Sequence, residues 1–258
     1  MKVARFATPG DDPRYGVVDG DELVVLAADP MFAGFDTTGE RIPLAEARLL
    51  APVIPRSKVV CIGLNYADHR ADMTMVDAPE NPLMFLKPNT AVIGPGEAIK
   101  IPPVEGRITH ESELVLVIGR IAKQARAEDW RDYVFGFTIG NDVSARDQMF
   151  ADGQWARAKG YDTFAPIGPW IETELDPSNL EISSTVDGEP RRHGNTKDLI
   201  HSLPDIVAYA SDVWTLLPGD IIMTGTPSGL GGFLPGQTVD ITIEGIGTLS
   251  NPAEARDG

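Results

Sequence analysis

Short apolar runs closed off by glycine constrain this chain more than any other feature. Val59-Val60-Cys61-Ile62 stops at Gly63, Leu114-Val115-Leu116-Val117-Ile118 at Gly119, and the run from Tyr133 to Ile139 at Gly140. Runs of that length, rich in Val and Ile and bounded by turn residues, read as strands. Helical spacing is confined to brief stretches: Ala67 to Met73, Arg126 to Tyr133, Ser144 to Phe150 behind a serine cap, and Leu203 to Trp214 with Pro204 in its first turn. Strands and helices do not alternate as a doubly wound sheet requires. The expected class is therefore a β-rich mixed α+β fold, a folded-over mixed sheet or barrel-like roll with short helices outside.

The first fifty residues have a pattern of their own. Strand candidates at Val3–Phe6, Arg14–Val18 and Leu23–Leu26 are joined by the turn Val18-Asp19-Gly20-Asp21, and Met31 to Asp36 reads as a loop. The proline-marked joint Ala51-Pro52-Val53-Ile54-Pro55 divides the chain into a small β domain, residues 1–55, and a larger domain, residues 56–258. Within the larger part, Trp155 to Pro169 carries too many polar, Gly and Pro residues for a core element. It reads as an ordered functional loop.

The chemistry centres on Thr109-His110-Glu111-Ser112-Glu113, which runs into the strand Leu114–Ile118. Residues i and i+2 of a strand share a face, so Glu111 and Glu113 are expected side by side. Neighbouring carboxylates repel and take up a proton unless a cation lies between them. Asp142, at the end of the run from Tyr133, is the acid that completes such a site. Three oxygen donors suit Mg²⁺, Mn²⁺ or Ca²⁺ rather than zinc. The alternative reading of Glu-x-Glu alone is the solvated face of an edge strand.

Other residues offer chemistry that is weaker in isolation. His69 and Asp72, three apart on a helical stretch, share a face and can act as a carboxylate-steered general base, or stand as a surface pair. Lys159 is the cation of a Gly/Tyr/Pro-rich segment, and Thr226 sits at a tight turn between Gly225 and Pro227 that can present a hydroxyl to an anion. His110, His193 and His201 lack the spacing of a zinc site. Cys61, the one cysteine, excludes an intrachain disulfide and reads as a buried, inert thiol. A formal net charge of -16 argues against nucleic acid, and no apolar stretch reaches membrane-spanning length. With no signal-peptide pattern at Met1–Phe6, a cytoplasmic location is expected.

Taken in order, six segments resemble the fumarylacetoacetate hydrolase family: Cys61–His69, Phe85–Pro88, His110–Leu114, Gly140–Gln148, Lys159–Pro169 and Thr224–Pro227. The resemblance covers the last four fifths of the chain. It is nearest the bacterial branch of 2-hydroxyhepta-2,4-diene-1,7-dioate isomerases, with acylpyruvate hydrolases and oxaloacetate decarboxylases or tautomerases. It implies a β-roll catalytic domain, a small N-terminal β domain, a homodimer and a small oxo-acid substrate. It also implies Mg²⁺ or Mn²⁺ on Glu111, Glu113 and Asp142, and substrate contacts from Lys159, Thr226 and Gln148. His69 matches a histidine on a mobile lid whose partner in many members is glutamate; this chain has Asp72, one methylene shorter. The reaction expected is isomerisation or tautomerisation, decarboxylation or C–C hydrolysis. A rival of another class is a non-catalytic binding module in which the acids hold a structural Ca²⁺.

Overall fold

The computed structural model describes residues 1–68, 80–229 and 231–256. Five strands open the chain: β1 (Lys2–Ala7), β2 (Arg14–Asp19), β3 (Glu22–Leu26), β4 (Thr37–Pro43) and β5 (Arg48–Leu49). Then come β6 (Val59–Gly63), β7 (Leu83–Lys87), β8 (Val92–Ile93), β9 (Ile99–Ile101) and β10 (Ile108–Thr109). The middle of the chain supplies β11 (Ser112–Ile118), β12 (Val134–Asn141), β13 (Ser144–Ala145) and β14 (Ala165–Glu172). The remainder supplies β15 (Glu181–Val186), β16 (Glu189–Asn195), β17 (Ile221–Met223), β18 (Thr238–Ile243) and β19 (Gly247–Ala255). Helices are short: α1 (Pro30–Ala33), α2 (Arg146–Asp152), α3 (Ala156–Lys159) and α4 (Leu203–Val213).

Among the described residues, twelve strands form one open sheet whose path runs β4-β3-β2-β1-β14-β12-β11-β17-β6-β7. A second sheet, β16-β15-β18-β19-β9, packs against it, and neither closes into a barrel. The β-rich mixed fold anticipated from the punctuated apolar runs is thus the one found. The N-terminal meander joins the large sheet through β1 against β14, with Lys2 opposite Glu172 and Val3 opposite Ile171. β11 is buried at every residue, as a central strand covered on both faces must be, and it pairs with β12 and β17. Leu114, Leu116 and Ile118 face the main core with Ile62, Phe137 and Ile222, while Val115 and Val117 face a second core with Val59 and Met223.

Four local expectations are corrected. The Met31–Asp36 segment begins with the one-turn helix α1, capped by the Asp29 side chain accepting from the Met31 N–H at 3.0 Å. The polar stretch before β12 is a 3-10 helix, Ala127–Tyr133. Ser144 does not cap the helix after it, because pairing of β13 with β10 holds it extended and moves the cap position to Ala145. Nor is Trp155–Pro169 a loop: it contains α3 and most of the buried strand β14. Proline is tolerated there because the β12–β14 register jumps from Phe137–Glu172 to Ile139–Gly168, so Pro169 falls in the irregularity and is not asked to donate.

Candidate active site

The antiparallel register of β11 and β12 builds the site. Ser112 lies opposite Asn141 and Glu113 opposite Gly140, so Glu111 and Asp142 emerge together just past the paired ends. The junction is fixed by the Asp142 N–H donating to the Glu111 carbonyl at 3.0 Å and the Glu111 N–H donating to Asn141 Oδ1 at 3.1 Å. Glu113 points to the neighbouring turn, where its Oε2 accepts from the Gly225 N–H at 2.8 Å. Gly225 has φ +100°, and an added Cβ would lie 2.8 Å from Asn65 Cβ, so the turn that offers this N–H requires glycine.

Glu111, Glu113 and Asp142 are all buried, and one carboxylate oxygen from each lies within 4.8 Å of the others. Oxygens on opposite sides of one ion stand about 4 Å apart for Mg²⁺ and nearly 5 Å for Ca²⁺, so the trio has the spacing of a ligand set. The sequence expectation that these acids converge therefore matches their placement.

Two lysines enter the same cluster. Lys159, the last residue of α3, donates to Glu111 Oε2 at 2.9 Å and also to Asp142 Oδ2. Lys87, the last residue of β7, donates to Asp142 Oδ1 and to the Val143 carbonyl at 3.0 Å. Three carboxylates thus face two ammonium groups, and one negative charge among the five side chains is unbalanced. Burial, then repulsion from Asp142 and Glu111, pushes the Glu113 carboxyl well above its ordinary range. For Lys159 burial works against the charge, but Asp142 and Glu111 outweigh it and hold the ammonium above a normal lysine. A cluster that holds its lysine charged and its central acid strained towards neutrality is chemically suited to one more cation.

The other expected residues lie as follows. Thr226 is buried; its Oγ1 accepts from the Ser112 N–H at 3.0 Å, tying the Gly225 turn to the acidic strand. Gln148, half-buried on α2, accepts from the Tyr161 hydroxyl at 2.9 Å. His69 and Asp72 lie outside the described residues. His110 faces away from the acids, with Nε2 2.9 Å from Ser184 Oγ, and burial together with Arg192 pushes its pKa down to about 3. Cys61 is buried and its thiol is held well above its ordinary pKa by burial and by Asp142.

Lys87 is the participant that motif reading passed over. Its signal was present: Leu83, Phe85 and Lys87 alternate on one face of a strand that ends at Pro88, so a lysine shares the inward side with a phenylalanine. The lysine side chain is 0% exposed.

An open β-rich fold that buries three carboxylates and two lysines in one cluster defines a protein built for acid-centred, cation-dependent chemistry. Comparison with known proteins narrows the class. Residues 58–253 match the family described as fumarylacetoacetate (FAA) hydrolase, C-terminal, and residues 1–52 match the family described as Rv2993c-like, N-terminal. The chain belongs to the fumarylacetoacetate hydrolase family and is one of its enzymes. It is similar to a 2-hydroxyhepta-2,4-diene-1,7-dioate isomerase from Mycobacterium marinum, 46% identical over 100% of this chain and 99% of that one, with a TM-score of 0.91. A maleylpyruvate hydrolase from Sphingobium sp. SYK-6, solved with manganese(II) and pyruvate, is 34% identical over 100% of both chains, with a TM-score of 0.82. The rat mitochondrial oxaloacetate tautomerase Fahd2a is 41% identical over 81% of this chain and 70% of its own length.

Proposed function

We propose that this chain is a divalent-metal-dependent enzyme acting on small 2-oxo or 2-hydroxy-enoic mono- and dicarboxylic acids. The observation that carries the reading is the unbalanced cluster: three buried carboxylates at ligand spacing with Lys159 among them. Glu111, Glu113 and Asp142 would hold Mg²⁺ or Mn²⁺, the latter being the ion in the similar maleylpyruvate hydrolase. A bound ion would supply Lewis-acid polarisation of an oxo-acid's oxygens. Lys159 then offers a fixed positive charge beside a developing enolate, in a site dry enough for that charge to count. Lys87 keeps Asp142 in place, and Thr226 and Gln148 would serve as polar contacts for the substrate carboxylate. Proton transfer is assigned to His69 steered by Asp72 on residue chemistry alone.

Isomerisation or tautomerisation leads among the outcomes, since the similar proteins include an isomerase at 46% identity and a tautomerase at 41%. Decarboxylation and C–C hydrolysis use the same enolate. The test is an assay of oxaloacetate, acylpyruvates and 2-hydroxy-dienedioates with Mg²⁺ or Mn²⁺, alongside Lys159→Met. Metal-dependent turnover of at least one of these, lost in the variant, is expected. No turnover of any oxo-acid by metal-loaded protein would sink the reading and leave the structural-Ca²⁺ module. A cytoplasmic homodimer belongs to the same proposal and is checked by sedimentation of the full chain. No helix among the described residues is long and apolar enough to cross a membrane.

A further inference from the structure

Lys159 is only 3% exposed, yet two residues against its ammonium are themselves half-exposed. They are aromatic. Lys159 Nζ lies 4.9 Å from the centre of the Phe85 ring and 5.8 Å from that of Trp155, and the two rings meet edge to face with centroids 5.2 Å apart. Both distances fall within the range in which an ammonium is attracted to a ring face. The arrangement follows from chain geometry. Trp155 precedes Lys159 by four residues, and the Lys159 N–H donates to the Trp155 carbonyl at 3.0 Å, so one helical turn stacks the indole over the lysine.

The indole has a seat prepared for it. It rests on Gly63 at the end of β6, where an added Cβ would stand 2.7 Å from Trp155 Cζ3 and 3.0 Å from Cη2. Those atoms are the far edge of the ring, so any side chain at position 63 displaces the indole rather than the strand. Phe85 stands across from Cys61 on the adjoining strand, which sets the second wall.

We propose that Trp155 is a positioning residue, seated on Gly63, that with Phe85 holds the Lys159 ammonium dry and aimed at Glu111 and Asp142. The proposal rests on the role given to Lys159 above. Trp155 touches none of the three acids in the contacts described, so its loss should spare metal binding while weakening the fixed charge that the lysine brings to the reaction. A purely structural tryptophan would lower stability without separating these two readouts.

The test uses the full chain loaded with Mn²⁺. Trp155→Ala should lower kcat about thirtyfold, the loss of a desolvated ammonium–ring contact, with Mn²⁺ affinity and KM within about twofold of wild type. Trp155→Phe should recover to within about threefold. Gly63→Ala should lower kcat about tenfold in the wild-type background and have no further effect when Trp155 is already alanine. Wild-type kcat in Trp155→Ala, a loss that tracks Mn²⁺ affinity, or full additivity with Gly63→Ala would each overturn the proposal. Acrylamide quenching of Trp155 emission, taken as wild type minus Trp155→Phe, reads the seat without any turnover. If the metal-loaded wild type turns over no oxo-acid, the proposed function fails on its own. The seat is then judged by whether Gly63→Ala makes the indole more open to quencher, as expected; equal quenching overturns it.

Discussion

Two lysine–carboxylate clusters built on buried acids lie in the same large sheet, and they differ in arithmetic. At the edge of β6, Asp220 is fully buried and accepts from the Ser57 N–H, the Ser57 hydroxyl, the Lys58 N–H, the Lys58 ammonium and the Leu217 N–H. One carboxylate meets one ammonium, both oxygens are occupied, and the cluster fastens the start of β6 to β17, where Val59 pairs with Ile221. In the other cluster three carboxylates meet two ammonium groups, and Glu113 is driven towards its neutral form. Burial of charge is common to both. A saturated, balanced cluster serves as a clamp, whereas an unbalanced one must take up a proton or a further cation.

The sharpest way to break this distinction is to make one chemical change, carboxylate to amide, in each cluster. Glu113→Gln should lower metal-dependent turnover on the order of a thousandfold, because the ligand set is lost. The same change relieves repulsion in the metal-free protein, whose Tm should stay level or rise by about 2–4 °C, equivalent to about 1 kcal/mol. Asp220→Asn should do the opposite, destabilising the fold by about 3 kcal/mol by turning an amide NH₂ towards donors and removing the ion pair with Lys58. Its metal site should remain intact. Thermal melts and turnover of the two variants decide the matter: equal destabilisation by both would mean that the acidic trio is a structural clamp as well.

Metal titration makes a smaller but cleaner contrast. At about a hundredfold over Kd, Mg²⁺ or Mn²⁺ should stabilise the wild type by about 2.7 kcal/mol. Asp220→Asn should gain the same increment from its lower starting point, since the two clusters share no residue. Glu113→Gln should gain nothing. An Asp220→Asn protein that no longer responds to metal would show that the two clusters are coupled through β17.

How far these clusters were legible in the sequence depends on whether their members are joined by period or by fold. Glu111 and Glu113 are two positions apart at the start of a buried strand, so their common side follows from strand geometry, and Asp142 follows from its place at the end of the partner run. The strands themselves were legible for the same reason, since apolar runs bounded by glycine leave little choice. Lys87 is harder to read, because a lysine closing a strand is normally solvated; only the crossing of β7 past Asp142 buries it. Ser144 shows the converse. Its local sequence favours a helix cap, but pairing of β13 with β10 overrides that preference and aims its hydroxyl at Glu111 Oε1, 3.4 Å away. Asp220 left no motif at all, since four of its five donors come from Ser57 and Lys58, far away in the chain. The segment Trp155–Pro169 misled because composition speaks for a loop, while register irregularity in β14 absorbs the proline.

The mildest test asks whether burial alone, without surplus charge, makes a carboxylate's neighbourhood sensitive to pH. Tyr15, on β2 of the N-terminal meander, is partly buried beside Asp29; burial and then the Asp29 carboxylate push its phenol up to about 12. The unfolded chain releases this proton near pH 10 and the folded chain holds it, so the contribution is complete below pH 10 and is lost as pH rises towards 12. With the ring partly open to solvent, the effect should be about 1 kcal/mol. Urea unfolding at pH 9 and pH 11 should show wild type losing that much more than Tyr15→Phe, with metal response unchanged in both. If Tyr15→Phe loses as much as wild type, the meander stores no titratable strain. The difference between the two lysine clusters would then rest on charge balance alone, which is the stronger form of the comparison.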